Sequence, residues 1–146
     1  MHKKKTLFTD GPIAAQKIAD MIKAHESKTN AGAHDIFLGQ VRADEINGNK
    51  VSAIEYSAYI QMAEDKYNDL REKVFEAYPV ICMHAMHSIG TVRSGEISLF
   101  VMTSAAHRDA ARDACKMMVD LIKSELPVWG KEVLENGDYV WKENKS

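Results

Sequence analysis

The sequence predicts an α+β fold, a sandwich of three main helices on a mainly antiparallel sheet. Three observations carry that prediction. Ile60, Ala63, Tyr67, Leu70, Val74 and Tyr78 recur at steps of three or four, which lays one apolar stripe along a helix. Residues 97–103 form an apolar run of the kind a central strand buried on both faces requires. The elements read α, ββ, α, ββ, α, ββ, an order that suits an antiparallel α+β sandwich better than a doubly wound parallel sheet.

Taken in order, Leu7-Phe8-Thr9 is a short strand ahead of a helix entry at Asp10-Gly11-Pro12, with Pro12 at the first helical position. Ile13, Ala14, Ile18, Met21 and Ile22 make the apolar face of this helix, which ends near His25. Residues 26–32 are a polar loop. Residues 34–41 favour a strand, apolar at Ile36-Phe37-Leu38, and residues 51–57 its hairpin-like partner across a polar segment turned at Asn47-Gly48. The helix over residues 60–78 is stopped by Pro79. Residues 80–86 are strand-like, and Ile89-Gly90 opens a turn that runs to Gly95. After the central strand comes a helix over residues 108–125. It turns Ala111, Ala114, Cys115, Met118, Leu121 and Ile122 inward, and Asp109, Arg112, Asp113, Lys116 and Asp120 outward. Residues 128–133, a turn at Glu135-Asn136-Gly137-Asp138 and residues 139–141 read as a terminal hairpin.

A chain of 146 residues, read as one domain over 1–146, is long enough to bury roughly two-thirds of its unfolded surface. Its 45% apolar and 27% charged residues are ordinary for a globular protein. A formal charge of −2 argues against broad nucleic-acid binding, which relies on a basic face. Lys3-Lys4-Lys5 reads as a solvated end. No apolar run approaches the ~20 residues needed to cross a bilayer, and no secretory apolar segment follows the first lysines. Cys82 and Cys115 sit apart within apolar patterns, as buried free thiols of a reducing compartment, so the cytoplasm is expected.

The chemically suggestive residues lie in the last third. Ser104-Ala105-Ala106-His107-Arg108 hands a strand to a helix N-terminus, where backbone N–H groups, the helix dipole and a guanidinium can converge on a phosphate or carboxylate. An ordinary helix start with a solvent-exposed arginine explains the same residues equally well. Lys123, sixteen residues beyond His107, is too far along the helix to join that cap, and a lysine near a helix C-terminus is favoured by the dipole without any function. Arg42 and Lys131 taken singly read as surface residues. His84 and His87 form an H-x-x-H pair, but in a strand that spacing points the two rings to opposite faces, so no shared metal is expected. Neither cysteine has a neighbouring base in sequence, and no phosphate-cradling glycine loop is present.

Taken as an ordered series, these residues resemble the large, catalytic subunit of molybdopterin synthase. The series begins with Phe37-x-Gly39-x-Val41-Arg42, Glu55-Tyr56-x-x-Tyr59-x-x-Met62-Ala63-Glu64 and His87-x-Ile89-Gly90 with Gly95-Glu96. Ser104-x-x-His107-Arg108, Lys123, Pro127-x-Trp129 with Lys131-Glu132, and Gly137 before Trp141 complete it. The resemblance implies an α/β hammerhead fold and a homodimer within a heterotetramer. The partner is a small ubiquitin-like sulfur carrier whose C-terminal Gly-Gly tail ends in a thiocarboxylate. The substrate is cyclic pyranopterin monophosphate, the pterin called precursor Z. Two sulfurs are transferred to it to form the molybdopterin dithiolene, with no metal or nucleotide cofactor. A non-catalytic module that binds a ubiquitin-like tail or a phosphorylated ligand is the alternative.

By that resemblance Lys123 is the catalytic lysine, while Arg42, His107 and Arg108 hold the substrate and its phosphate. The implied binding positions are Gln40, Val41, Arg42, His107, Arg108, Lys123, Gly130, Lys131 and Glu132. Three positions depart from the family pattern. Gly130 stands where a second active-site lysine is usual, and Lys131 is expected to reach the same space. Gln40 replaces a common basic residue, and Ser88 a frequent arginine. The pocket is expected to draw residues from both subunits.

Overall fold

A computed structural model describes residues 2–142; residues 1 and 143–146, part of the single domain expected over 1–146, lie outside the described residues. The described chain runs β1 (Phe8–Asp10), α1 (Ala15–Ala24), a 3-10 turn (His25–Ser27), β2 (Ala33–Gln40), β3 (Glu45–Ile46) and β4 (Asn49–Ala58). It continues with α2 (Ile60–Ala77), β5 (Val80–Arg93), β6 (Ile97–Ala105), α3 (Arg108–Glu125), β7 (Val128–Leu134) and β8 (Tyr139–Trp141). The sheet order is β2-β6-β5-β4-β7-β8; β1 adds to β5 in parallel and β3 folds onto β4, so the sheet is antiparallel except for β1.

The two long helices cover one face of the sheet. Tyr67, Leu70 and Val74 from α2 and Ala114, Cys115, Met118 and Ile122 from α3 pack on Met83, Ala85, Leu99 and Val101. The alternate residues of β6, Phe100 and Met102, pack on the other face with Ile13, beside Ile18 and Met21 of the α1 region. β6 is therefore buried on both faces, as its apolar run predicts. A smaller core of Val41, Val51, Ile54, Val92 and Leu134 closes the end of the sheet built from β4, β5 and β7.

Four expectations are corrected. Pro12 does not open α1. The backbone N–H groups of Gly11 and Ile13 donate to the Ile89 and Ile97 carbonyls, pinning this bent segment to the sheet until Ala14, so the helix begins at Ala15. The strand over 34–41 does not pair with 51–57: β2 pairs with β6, and β4 lies between β5 and β7. The hairpin at Asn47-Gly48 is the local one between β3 and β4, and both turn residues have positive φ (51° and 82°) as a tight primed turn requires. β5 does not end at Ile89. Gly90 takes φ +87°, a conformation open to glycine, and lets one strand bend from its pairing with β1 and β6 into its pairing with β4. Finally, only Cys115 is a buried thiol; Cys82 is half-buried.

Candidate active site

α3 stops where Pro127 forces the preceding residue out of the helical region, and Leu126 is extended (φ −82°, ψ 139°). The chain turns at once into β7, so Lys123, in the last turn of α3, stands beside the start of that strand. The hairpin through Glu135–Asp138 returns β8 along β7 and brings Lys142 N–H to the Gly130 carbonyl at 2.8 Å. These elements, with β2, β4, β5 and β6, enclose a cavity of about 370 Å³. Its lining includes Gly39, Gln40, Tyr56, His87, Ser98, Lys123, Trp129, Gly130, Trp141 and Lys142. That is the size and mixed polarity of a small-molecule site.

The cavity is cationic. Lys123 lies over the Phe37 ring, 5.8 Å from its centroid. Burial, and then the positive charges of Lys142 and Arg42, hold its ammonium below the usual lysine range. Burial raises the Tyr56 phenol, whose hydroxyl donates to Ser98 Oγ at 3.2 Å. The His87 ring donates from Nδ1 to the Ser88 carbonyl at 2.8 Å, and burial lowers its pKa below that of a free histidine. A buried neutral histidine makes stability pH-dependent. Its folded pKa lies below the unfolded value of ~6.5, so its stabilisation is full above that pH and is lost as pH falls through the folded value. Thermal melts between about pH 7.5 and 5 will show a falling midpoint. His87→Phe will lose less midpoint over that window than the wild type; an unchanged slope would sink this assignment.

The expected site residues do not all meet here. Gln40, Lys123 and Gly130 line the cavity. Arg42 lies beyond the end of β2, exposed, 3.2 Å from Asp44; so exposed a pair is worth little and is readily exchanged for a bound anion. Val41 points into the small core, with its N–H and C=O spent on Glu96 and Gly95. Glu132 shares the Gly130 face of β7, and its charge helps raise Tyr56. Lys131 does not reach the cavity. Strand alternation turns it to the opposite face, where Nζ pairs with Glu55 at 3.1 Å and lies 4.7 Å from the Tyr139 ring centroid. The place beside Gly130 belongs instead to Lys142. A Cβ built on Gly130 would meet Lys142 Cβ and Cδ at 3.5 Å and Ile54 Cγ2 at 3.1 Å. Sequence reasoning missed Lys142, whose position depends on the β7–β8 register.

His107 and Arg108 are exposed at the opposite end of α3; Arg108 is fifteen residues from Lys123 and so roughly 22 Å away along the axis. One further feature borders the cavity. Tyr59, Ile60, Met62 and Trp129 are all exposed, and the Tyr59 and Trp129 rings meet edge-on with centroids 4.9 Å apart. Exposed apolar residues grouped in this way mark an interaction surface.

A cationic cavity with an apolar rim, on an α+β frame, defines a class of protein that receives an anionic substrate beside a docked partner. Residues 8–125 match the family model described as MoaE protein. The chain is 38% identical over 114 residues to the molybdopterin synthase catalytic subunit of Thermoplasma volcanium, covering 78% of this chain and 82% of that protein. It is 34% identical over 138 residues to the molybdopterin synthase catalytic subunit of Bos taurus, covering 94% of this chain and 70% of that one. The crystal structure of molybdopterin synthase from Staphylococcus aureus superimposes with a TM-score of 0.81 at 28% identity, covering 97% of this chain and 99% of the other. The chain belongs to the MoaE family, the catalytic subunits of molybdopterin synthase in molybdenum cofactor biosynthesis.

Proposed function

We propose that this chain transfers sulfur from the C-terminal thiocarboxylate of a small ubiquitin-like carrier to cyclic pyranopterin monophosphate, forming the molybdopterin dithiolene. The observation that carries this reading is Lys123, an ammonium with a depressed pKa in a 370 Å³ cavity, beside Lys142 and within the field of Arg42. A site with that charge concentrates two anions, the thiocarboxylate and the substrate phosphate. Lys123 neutralises the thiocarboxylate as its sulfur adds to the pterin and supplies the proton the adduct needs; water then cleaves the acyl–sulfur bond, so the sulfur stays on the pterin and the carrier leaves as its carboxylate. The carrier docks on the rim of Tyr59, Ile60, Met62 and Trp129 and threads its tail inward. The chain acts as one domain, in the cytoplasm, with no cofactor of its own in the transfer.

The site is completed by a second copy of the chain. His107 and Arg108 are too far from Lys123 to serve the same cavity within one subunit, and the exposed guanidinium at a helix start suits a phosphate delivered across a dimer. Lys142 takes the part of the lysine missing at position 130. Lys142→Ala will slow transfer about tenfold and, by removing a cation beside Lys123, will let that ammonium hold its proton to higher pH. Because the protonated form is the active one, the alkaline fall in rate moves upward. Lys131→Ala will behave as wild type. A pH–rate profile of the three proteins checks both statements, and an unshifted alkaline limb in Lys142→Ala would remove Lys142 from the site.

The overall reading is tested by a single turnover. Purified protein is mixed with thiocarboxylated carrier and precursor Z, and product is measured as its oxidised fluorescent derivative. Product formation is the expected result. A stable carrier complex that yields none would favour the non-catalytic binding reading, with Gly130 as the cause.

A further inference from the structure

We propose that His25, Cys82 and His84 form a zinc-class metal site that fastens the end of α1 to strand β5. One donor atom from each residue lies within 4.8 Å of the others. This corrects the expectation that neither cysteine has a neighbouring base, since Cys82 lies beside His84 and His25. His84 and His87 do face opposite ways, but Cys82 is two residues from His84 and therefore on the same face of β5, and the 3-10 turn after α1 brings His25 over both.

The donor set is prepared as well as clustered. His25 is only 5% exposed, and its Nδ1 lies 2.7 Å from the Met21 carbonyl. A carbonyl can only accept, so Nδ1 carries the proton and Nε2 presents a lone pair. That Nε2 is buried and has no hydrogen-bond partner. Buried polar atoms are almost always satisfied, and an imidazole whose other nitrogen donates to a backbone carbonyl is the usual arrangement of a metal-bound histidine. The His84 ring stands at 81° to the His25 ring with centroids 4.8 Å apart. Tetrahedral zinc with bonds of about 2.0–2.3 Å holds its ligand atoms about 3.4–3.6 Å apart, so closing the set needs side-chain rotation only. Cys82 and His84 are half-buried, which leaves a route of entry and room for a water as fourth ligand.

Sulfur with two imidazoles selects a borderline cation such as zinc over magnesium or calcium. Cys82 is also the thiol that can serve. Cys115, the other cysteine of the chain, is buried against the Val101 carbonyl on a different element, and burial pushes it up to about 12. The role is structural. None of the residues of α1 itself is fully buried, and Ile18 and Met21 pack only partly against the core, so a metal joining its C-terminal turn to β5 reinforces a lightly held helix.

The test is titration of the untagged, chelator-treated full-length protein with Co²⁺, then with Zn²⁺. One equivalent of Co²⁺ will give tetrahedral ligand-field bands and a thiolate-to-cobalt charge-transfer band, and Zn²⁺ will displace it and raise the melting temperature. Cys82→Ser will abolish the charge-transfer band and the melting shift, whereas Cys115→Ala will keep both. His84→Gln will weaken binding by at least the roughly 10–100-fold that loss of an outer-shell partner brings. Both altered ligands are half-buried, so these variants fold where a change at His25 would disturb the interior. Absence of one-equivalent binding in the wild type, or a charge-transfer band that survives in Cys82→Ser, overturns the proposal.

Discussion

Lys123→Ala will lower single-turnover formation of molybdopterin by roughly 10²–10⁴-fold while leaving the fold and carrier binding intact. The range is that of losing a positioned acid–base group, and the side chain here also supplies the charge opposite a thiocarboxylate. Its surroundings favour a catalytic over a structural role. Lys123 lines the cavity near the C-terminus of α3, and burial, then the charges of Lys142 and Arg42, lower its pKa, the kind of perturbation that clusters at functional sites. The neighbouring core residues of α3, Met118 and Ile122, hold the helix in place without it. Melting temperature and carrier affinity measured beside the rate decide the matter. A variant that loses rate only in proportion to lost folded protein would make Lys123 structural.

Local periodicity carried the helices. α3 occupies residues 108–125 as its apolar stripe indicates, and α2 ends just ahead of Pro79. The terminal hairpin was equally legible, because its turn residues and both strands are adjacent in sequence. Strand partners were not. β2 pairs with β6 some sixty residues away, and nothing in either strand names its neighbour, so the nearest apolar segment looked like the partner. Gly90 read as the start of a turn because a left-handed glycine serves a turn and a bend within a strand equally well.

The site divides along the same line. Lys123 was found through an ordered resemblance, but the face on which Lys131 lies follows from strand alternation, which already sets it apart from Gly130. Lys142 depends on β7–β8 register at the edge of the sheet. The Cys82–His84 pair went unread despite its alternate-residue spacing, and His25 joins it only through the packing of α1, fifty-seven residues before Cys82.

The second large effect concerns the division of the site between subunits. Arg108→Ala and Lys123→Ala, each prepared alone, will be nearly inactive. Mixed and allowed to exchange subunits, they will regain activity. If each cavity takes its lysine from one chain and its arginine from the other, a mixed dimer has one cavity with both residues replaced and one with both intact. If each cavity drew both residues from a single chain, every cavity in the mixture would carry one defect and mixing would restore nothing. The roughly 22 Å separation along α3 favours the first arrangement, since an arginine side chain spans only a fraction of it. Recovery must follow the kinetics of subunit exchange, and a double variant carrying both changes on one chain, mixed with wild type, controls for simple dilution. Activity that stays at the level of the separate variants after full exchange would return His107 and Arg108 to the role of an ordinary helix start.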